Sequence, residues 1–245
     1  MRAIILAAGK GNRLRPFTDH NHKCLLDFGG KSLIYRYLED FERLGIMKAT
    51  VVLGHKMELV REHLDQYSGP VQIEYIVNER YERGSILSVA TASEHFDDDV
   101  IMMDCDVLYH PELLERIVRS KNESCYLMDT NYNETGEECK VAALNGRVVA
   151  NNRKISVPYD AIGEGMGFLK LSHETAQGYR KHLLAFVERG EIDCEYEDPL
   201  ELLLQEAVVG FEPVDGLPWT EIDFAEDIEK ARDETLPAIV AALGN

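Results

Sequence analysis

Across residues 1–130, short apolar runs alternate with amphipathic stretches, the rhythm of βαβ units joined into a largely parallel sheet. The pattern predicts strands over 2–8, 49–53 and 71–77, with helices over 32–44 and 56–66 between them. It repeats as a helix over 85–94, a strand over 100–104, a helix over 112–120 with Pro111 in its first turn, and a strand over 125–129. Beyond Asp129 the rhythm changes. Two apolar runs, 141–144 and 147–150, flank Asn145-Gly146 and predict a hairpin. A strand follows over 163–171, and Ser172 is expected to cap a helix reaching residue 189. Pro199 opens a further helix, 219–222 gives a last short strand, and a helix begins at Ala225. No Ser/Gly-rich linker or composition break divides the chain. One domain over 1–245 is therefore expected, an α/β fold built as a three-layer α/β/α sandwich around a mostly parallel, mixed sheet, with a small β-rich lobe from its later part.

The 245 residues suffice to bury one sizeable core. A hydrophobic share of 45% against 29% charged residues, with a mean hydropathy of −0.25, excludes a disordered or fibrous chain. Apolar runs such as 3–8 and 49–53 fall far short of the roughly 20 residues a membrane helix needs, so no membrane span is expected. Residues 1–9 read as a buried strand rather than a targeting segment, because they run straight into Lys10, Arg13 and Arg15. Five scattered cysteines without a C-x-x-C pair point to reduced thiols in a cytoplasmic protein. A net charge of −18 argues against a nucleic-acid partner. Its distribution says more: 191–234 holds sixteen acidic residues against Lys230 and Arg232, whereas 1–80 holds twelve basic and ten acidic residues. Phosphate binding is thus expected in the N-terminal part, and a homodimer is the base-rate oligomer.

The densest chemical signal is Leu6-Ala7-Ala8-Gly9-Lys10-Gly11-Asn12-Arg13-Leu14-Arg15-Pro16, followed by Lys23-Cys24-Leu25-Leu26. A strand ending in glycines turns backbone N–H groups toward a phosphate chain, and Arg13, Arg15 and Lys23 add positive charge. The spacing is neither a Walker A loop nor G-x-G-x-x-G, since position 14 is a leucine. A second signal is Asp104-Cys105-Asp106, two carboxylates at the C-terminal end of a buried strand, where open α/β sheets form their ligand crevice. Such a pair suits Mg²⁺ held together with substrate phosphates, or else caps the following segment. Glu221 and Asp223 alternate onto one face of the last strand, so either reaches that metal. Asp223 is equally suited to cap the helix from Ala225. None of the eight histidines has metal-ligand spacing, and none is given a role.

The segment from Leu6 to Leu26 closely resembles the signature loop of the nucleotidylyltransferases that activate sugar 1-phosphates and phospho-alcohols, and most of all their CTP:phosphocholine cytidylyltransferase-like branch. Segments 78–90, 102–111, 163–172 and 219–227 match in the same order, so the resemblance covers essentially the whole chain. It implies that Leu6, Ala8 and Gly9 lie along the nucleobase and ribose, that Gly11, Asn12 and Arg13 hold the triphosphate, and that Lys23 bridges the phosphates in the transition state. It also implies that Asp106 is a metal ligand with Asp223 as its partner, and that Asp104 supports the metal or faces the ribose. In related cytidylyltransferases the loop 78–88 reads the pyrimidine, making Gly84 and Ser85 the candidates here, although Ser85 also suits a plain helix cap. Glu164 stands where sugar-activating relatives bind sugar hydroxyls, and in a phosphocholine site it would face a cation. Trp219, Tyr109 or Tyr159 would wall a quaternary ammonium, although a lone Trp is as much at home in a core. Glu221 is counted with the substrate side, and Lys140, Arg153 and Lys154 would contact the acceptor phosphate or remain exposed hairpin charges.

The expected reaction is Mg²⁺-dependent transfer of CMP from CTP to a small phospho-alcohol or phosphonate such as phosphocholine, releasing pyrophosphate. Residues 1–130 would bind the nucleotide and 131–245 the acceptor. Arg13, Lys23, Asp106 and Asp223 would carry the catalysis by positioning and charge neutralisation, because an acceptor phosphate is already anionic and needs no base. Two other readings stay open: a sugar-1-phosphate nucleotidylyltransferase, which would share the loop and the D-x-D, and a non-catalytic sensor of nucleotide or sugar phosphate.

Overall fold

In a computed structural model, described for residues 1–132, 134, 136 and 138–244, nine strands form one mixed sheet. β1 (Arg2–Ala7) lies between β2 (Lys48–Leu53) and β4 (Val100–Asp104), and β3 (Gln72–Val77) continues the parallel run to one edge. On the other side β9 (Ala161–Leu171) runs antiparallel between β4 and β6 (Cys125–Asp129), and β10 (Gly210–Pro213) closes that edge. The first part of β9 also pairs with β7 (Lys140–Leu144), itself joined as a hairpin to β8 (Arg147–Asn152). The long, kinked β9 thus carries the sheet out into the expected β-rich lobe.

Alternation along β1 builds the three layers. Ala3, Ile5 and Ala7 point into a core shared with α1 (Leu33–Leu44), α2 (Met57–Leu64) and α4 (Pro111–Val118). Ile4 points into the opposite core, shared with α3 (Ile86–Ala92), α5 (His173–Glu188) and α6 (Glu197–Glu206). Burial on both faces explains why β1 is an unbroken apolar run in the sequence. Helix ends follow local chemistry: Ser32 and Ser172 accept the N–H groups of Tyr35 and Thr175, and Gly45 closes α1 in the left-handed conformation.

Four features depart from the expected elements. β5 (Val107–Tyr109), outside the expected elements, pairs antiparallel with the expected last strand, β11 (Trp219–Glu221), in a ribbon apart from the main sheet, and β10 has no counterpart in the apolar pattern. α6 begins two residues before Pro199, at Glu197. The final helix is broken into α7 (Ala225–Lys230), a wide turn over Ala231–Thr235 and α8 (Leu236–Leu243), where Pro237 lacks the N–H that a continuous ladder needs. This tail packs Ala231 and Ile239 on Leu14, Phe28, Leu108 and Ile222, a third core beneath the N-terminal loop. Among the described residues no helix is long and apolar enough to cross a membrane, and all five cysteines are free.

Gly84, at the entry to α3, packs against another backbone segment: a Cβ there would lie 2.0 Å from the Cys194 carbonyl oxygen. Its own N–H donates to the Ile192 carbonyl at 3.0 Å. Gly84→Ala is therefore expected to destabilise the fold by about 1–3 kcal/mol, read as a lower urea midpoint with an unchanged slope. An unchanged midpoint would contradict this packing.

Candidate active site

Parallel register brings the site together. Leu6 of β1 lies opposite Asp104 of β4, and Ala7 lies opposite Leu53 of β2, so three strand ends open onto one crevice. The backbone then runs through Ala8, whose carbonyl accepts His55 N–H at 3.0 Å, and past Gly9 into a tight turn. Gly11 has φ +60°, a left-handed conformation that an L side chain rarely adopts, and opens the 3₁₀ turn Asn12–Leu14. Leu14 is buried in the third core, leaving Asn12 and Arg13 on the outer side of the turn.

The second contribution comes from the far end of the chain. β11 pairs with β5 so that Glu221 lies opposite Val107, and Ile222 N–H donates to the Asp106 carbonyl at 2.9 Å. That ribbon sets Asp223 beside Asp106. Lys23 Nζ donates to Asp106 Oδ2 at 2.7 Å and to Asp223 Oδ1 at 2.6 Å, with its side chain only 12% exposed. Burial works to lower the Lys23 pKa, but Asp106 and Asp223 outweigh it and raise the value, so the ammonium is held charged. Arg13 NH2 reaches Asp223 Oδ2 at 2.5 Å, and its guanidinium lies over the Phe224 ring, 4.8 Å from the centroid. The alternative of Asp223 as a helix cap is not what the side chains do: Asp227 accepts the N–H groups of Asp223 and Phe224 at α7, leaving the Asp223 carboxylate to the two cations.

Asp104 sits one layer deeper. Burial, then Asp106 and Glu197, push its carboxyl well above the usual range, and the Tyr196 hydroxyl donates to Oδ2 at 3.0 Å. Glu221 is pushed up likewise, by burial and then by Asp106, Asp223 and Asp104. Tyr37, fully buried, has its hydroxyl within 3.0 Å of the Asp104 and Val107 carbonyls and accepts Val107 N–H, which fixes the path of the Asp104–Asp106 segment.

A cleft of about 970 Å³ opens here, and its lining includes Arg13, Ser85, Asp104, Asp106, Glu221 and Asp223. Glu164 and Trp219 line it as well. Register puts Glu164 opposite Asp129 on one side and Lys140 on the other, and the Trp219 indole N–H donates to Asp129 Oδ2 at 2.7 Å. Several expected residues stand elsewhere. Gly84 engages its N–H with Ile192 rather than presenting it to a base. Ser85 does line the cleft, where its Oγ donates to Glu195 at 2.5 Å and accepts Tyr196 N–H at 2.9 Å, which ties down the 194–196 segment instead of capping α3. Tyr109 is a core residue, 5% exposed, whose ring packs on Tyr37 and Phe168, so it cannot wall a ligand. Tyr159 and Lys154 lie outside the cleft lining, Lys140 is paired with Glu134, and of the three expected phosphate contacts only Arg153 lines the cleft. Sequence reasoning missed Tyr37, Asp129, Tyr196 and Glu197. The last two lie in a stretch legible only as excess acid, where no periodicity marks an aromatic ring reaching a strand end.

Residues 3–170 match the family model of the MobA-like NTP transferase domain. The chain is similar to the CTP:phosphoglutamine cytidylyltransferase of Campylobacter jejuni, 25% identical over 258 residues that cover 94% of this chain and 98% of the relative. It is also similar to the bifunctional IPC transferase and DIPP synthase of Aquifex aeolicus, 25% identical over 99% of this chain, which spans about half (54%) of that relative. Among solved structures, the CTP:phosphocholine cytidylyltransferase from Streptococcus pneumoniae superimposes with a TM-score of 0.77 at 22% identity, covering 95% of this chain and 97% of the other. The inositol-1-phosphate CTP transferase from T. maritima also gives 0.77, at 19% identity, covering 97% and 95%. These two likenesses establish the common fold.

Burial, then Glu138 and Asp129, push the Glu164 carboxyl up to about 7, from an ordinary 4.5. A raised carboxyl binds more protons folded than unfolded, so its stabilising contribution is complete below the unfolded value and is lost as pH rises through the folded one. Glu164→Gln removes that titration. The stability difference between wild type and variant is expected to shift in the variant's favour between about pH 4.5 and pH 7.5 and to level off above. Parallel stability curves over that range in chemical denaturation would contradict the assignment.

Proposed function

The chain belongs to the MobA-like NTP transferase family, and from that premise we propose that it transfers CMP from CTP to a small phosphorylated alcohol or phosphonate, phosphocholine first among them, with release of pyrophosphate. The observation that carries the proposal is the shared ammonium of Lys23 between Asp106 and Asp223 at the mouth of the crevice. A cation held at that point is suited to offset charge on phosphate oxygens, and cytidylyl-transferring relatives of matching length support CTP as the donor.

Mg²⁺ is the proposed cofactor. Asp106, Glu221 and Asp223 each offer a carboxylate oxygen within 4.8 Å of the others, and Asp106 Oδ1 is buried with no hydrogen-bond partner among the described residues. Four carboxyl groups, with Asp104, face two cationic side chains, Arg13 and Lys23, so the residues fit a hard dication with oxygen ligands. When bound, the ion supplies positive charge to the phosphates and orients them. The rest is done by the chain. The 8–13 turn presents backbone N–H groups and Arg13 to the triphosphate, with Leu6, Ala8 and Gly9 beside the nucleoside. Lys23 neutralises charge that builds on the phosphorus under attack. The acceptor phosphate, an anion at neutral pH, attacks the α-phosphorus in line and displaces pyrophosphate without a general base. Glu164 and Trp219, which also line the cleft, would meet the remainder of the acceptor, in keeping with 131–245 as the acceptor part and 1–130 as the nucleotide part.

Pyrophosphate release with each of the five common nucleoside triphosphates, against phosphocholine, aminoethylphosphonate, inositol phosphate and hexose 1-phosphates, tests the reading. Turnover is expected with CTP and a phospho-alcohol or phosphonate. Lys23→Ala and Asp106→Ala are each expected to lower kcat by about 10²–10³-fold while far-UV circular dichroism is unchanged. Turnover confined to a hexose 1-phosphate, or nucleotide binding without turnover, would overturn it.

A further inference from the structure

Directly beneath the Lys23–Asp106 pair lies a second group of metal-ligating side chains, of opposite chemical character. His22 and Cys24 flank Lys23 on the 3₁₀ turn Lys23–Leu25, and Cys105 separates the two aspartates at the end of β4. His22, Cys24 and Cys105 are 2%, 0% and 5% exposed. His22 Nδ1 lies 3.2 Å from Cys24 Sγ, and one donor atom from each of the three residues falls within 4.8 Å of the others. The other ring nitrogen of His22, Nε2, is buried and makes no hydrogen bond among the described residues. Nothing along the sequence announces this group, since Cys24 and Cys105 are 81 positions apart and no histidine has ligand spacing.

We propose that His22, Cys24 and Cys105 form a binding site for a soft divalent cation of the Zn²⁺ class, distinct from the carboxylate site. The donor set selects the ion: one imidazole nitrogen and two thiolate sulfurs suit a borderline-soft dication, whereas Mg²⁺ takes oxygen. Preorganisation is visible in the spacing. Donors about 2.0–2.3 Å from a common tetrahedral ion stand roughly 3.3–3.8 Å apart, so the 3.2 Å between Nδ1 and Sγ has to open by only a few tenths of an ångström to admit one. Charge balance favours it too, because two thiolates and one dication make a neutral unit, which burial does not penalise as it would a net charge. On binding, each thiol gives up its proton to solvent and its sulfur lone pair to the ion, with no change of oxidation state. Occupancy would tie the turn bearing Lys23 to the strand end bearing Asp106, so this site stiffens the frame that aligns the two.

The test is a Co²⁺ titration of the full chain, reduced with a non-thiol phosphine, in excess Mg²⁺ so that the carboxylates are already occupied. A thiolate-to-cobalt charge-transfer band should grow and saturate at one ion per chain, then bleach when Zn²⁺ is added. Cys24→Ser and Cys105→Ser should each abolish it, and His22→Gln should weaken affinity by at least about tenfold. Cys125→Ser, in β6 and outside the group, should leave it intact. Two separate serine variants guard against one that fails to fold, as judged by circular dichroism. Absence of the band in the wild type, or its survival in both serine variants, would overturn the site. Because Co²⁺ absorption is read without substrate, that outcome is independent of whether the chain transfers CMP.

Discussion

One buried ammonium joins residues that are 83 and 200 positions away along the chain. Lys23 is hydrogen-bonded to Asp106 and Asp223 at once, and each of those carboxylates depends on the other's position. A lysine taken this far out of water is unfavourable unless it is paired, and two carboxylates this close repel unless a cation stands between them. Each group therefore favours the positions of the other two. Much of the surrounding architecture serves that meeting: parallel register sets the ends of β1 and β4 side by side, Tyr37 fixes the Asp104–Asp106 backbone, and the β5–β11 ribbon delivers Asp223 from the C-terminal region.

The ribbon shows where the sequence ran out of information. β1, β2, β4 and β6 are apolar runs whose burial on both faces leaves a pattern that anyone can read. β5 is three residues long and shows no period, and although β11 is readable as a short strand over 219–222, the pairing of the two is a tertiary fact. The Asp104-Cys105-Asp106 and Glu221-Ile222-Asp223 elements were legible as carboxylate motifs, but only their convergence explains why both carry acids. Gly84 and Ser85 illustrate the reverse case. A Gly-Ser pair opening a helix is a natural source of donors for a base edge, yet the Gly84 N–H is taken by the Ile192 carbonyl, and Ser85, which lines the cleft, is engaged by the Glu195 carboxylate and the Tyr196 N–H. Tyr109 was equally ambiguous as a lone aromatic, and only the packing of Tyr37 and Phe168 around it fixes it in the core.

The cleft carries both signs of charge. Arg13 and Lys23 stand against the Asp104, Asp106, Glu221 and Asp223 carboxyls, a setting for phosphates with a hard cation. Glu164, Asp129 and Trp219 line the same cleft, where burial and like charge, opposed by Lys230, hold the Glu164 proton to about 7.

Lys23 joins Asp106 and Asp223, and a double-mutant cycle on kcat with Asp106→Asn, Asp223→Asn and the combined variant tests whether the two act as one unit. The double variant is expected to be about as slow as the slower single variant, because losing either carboxylate already dismantles the unit. Losses that multiply, with the double variant slower by the product of the two single effects, would show two independent residues instead.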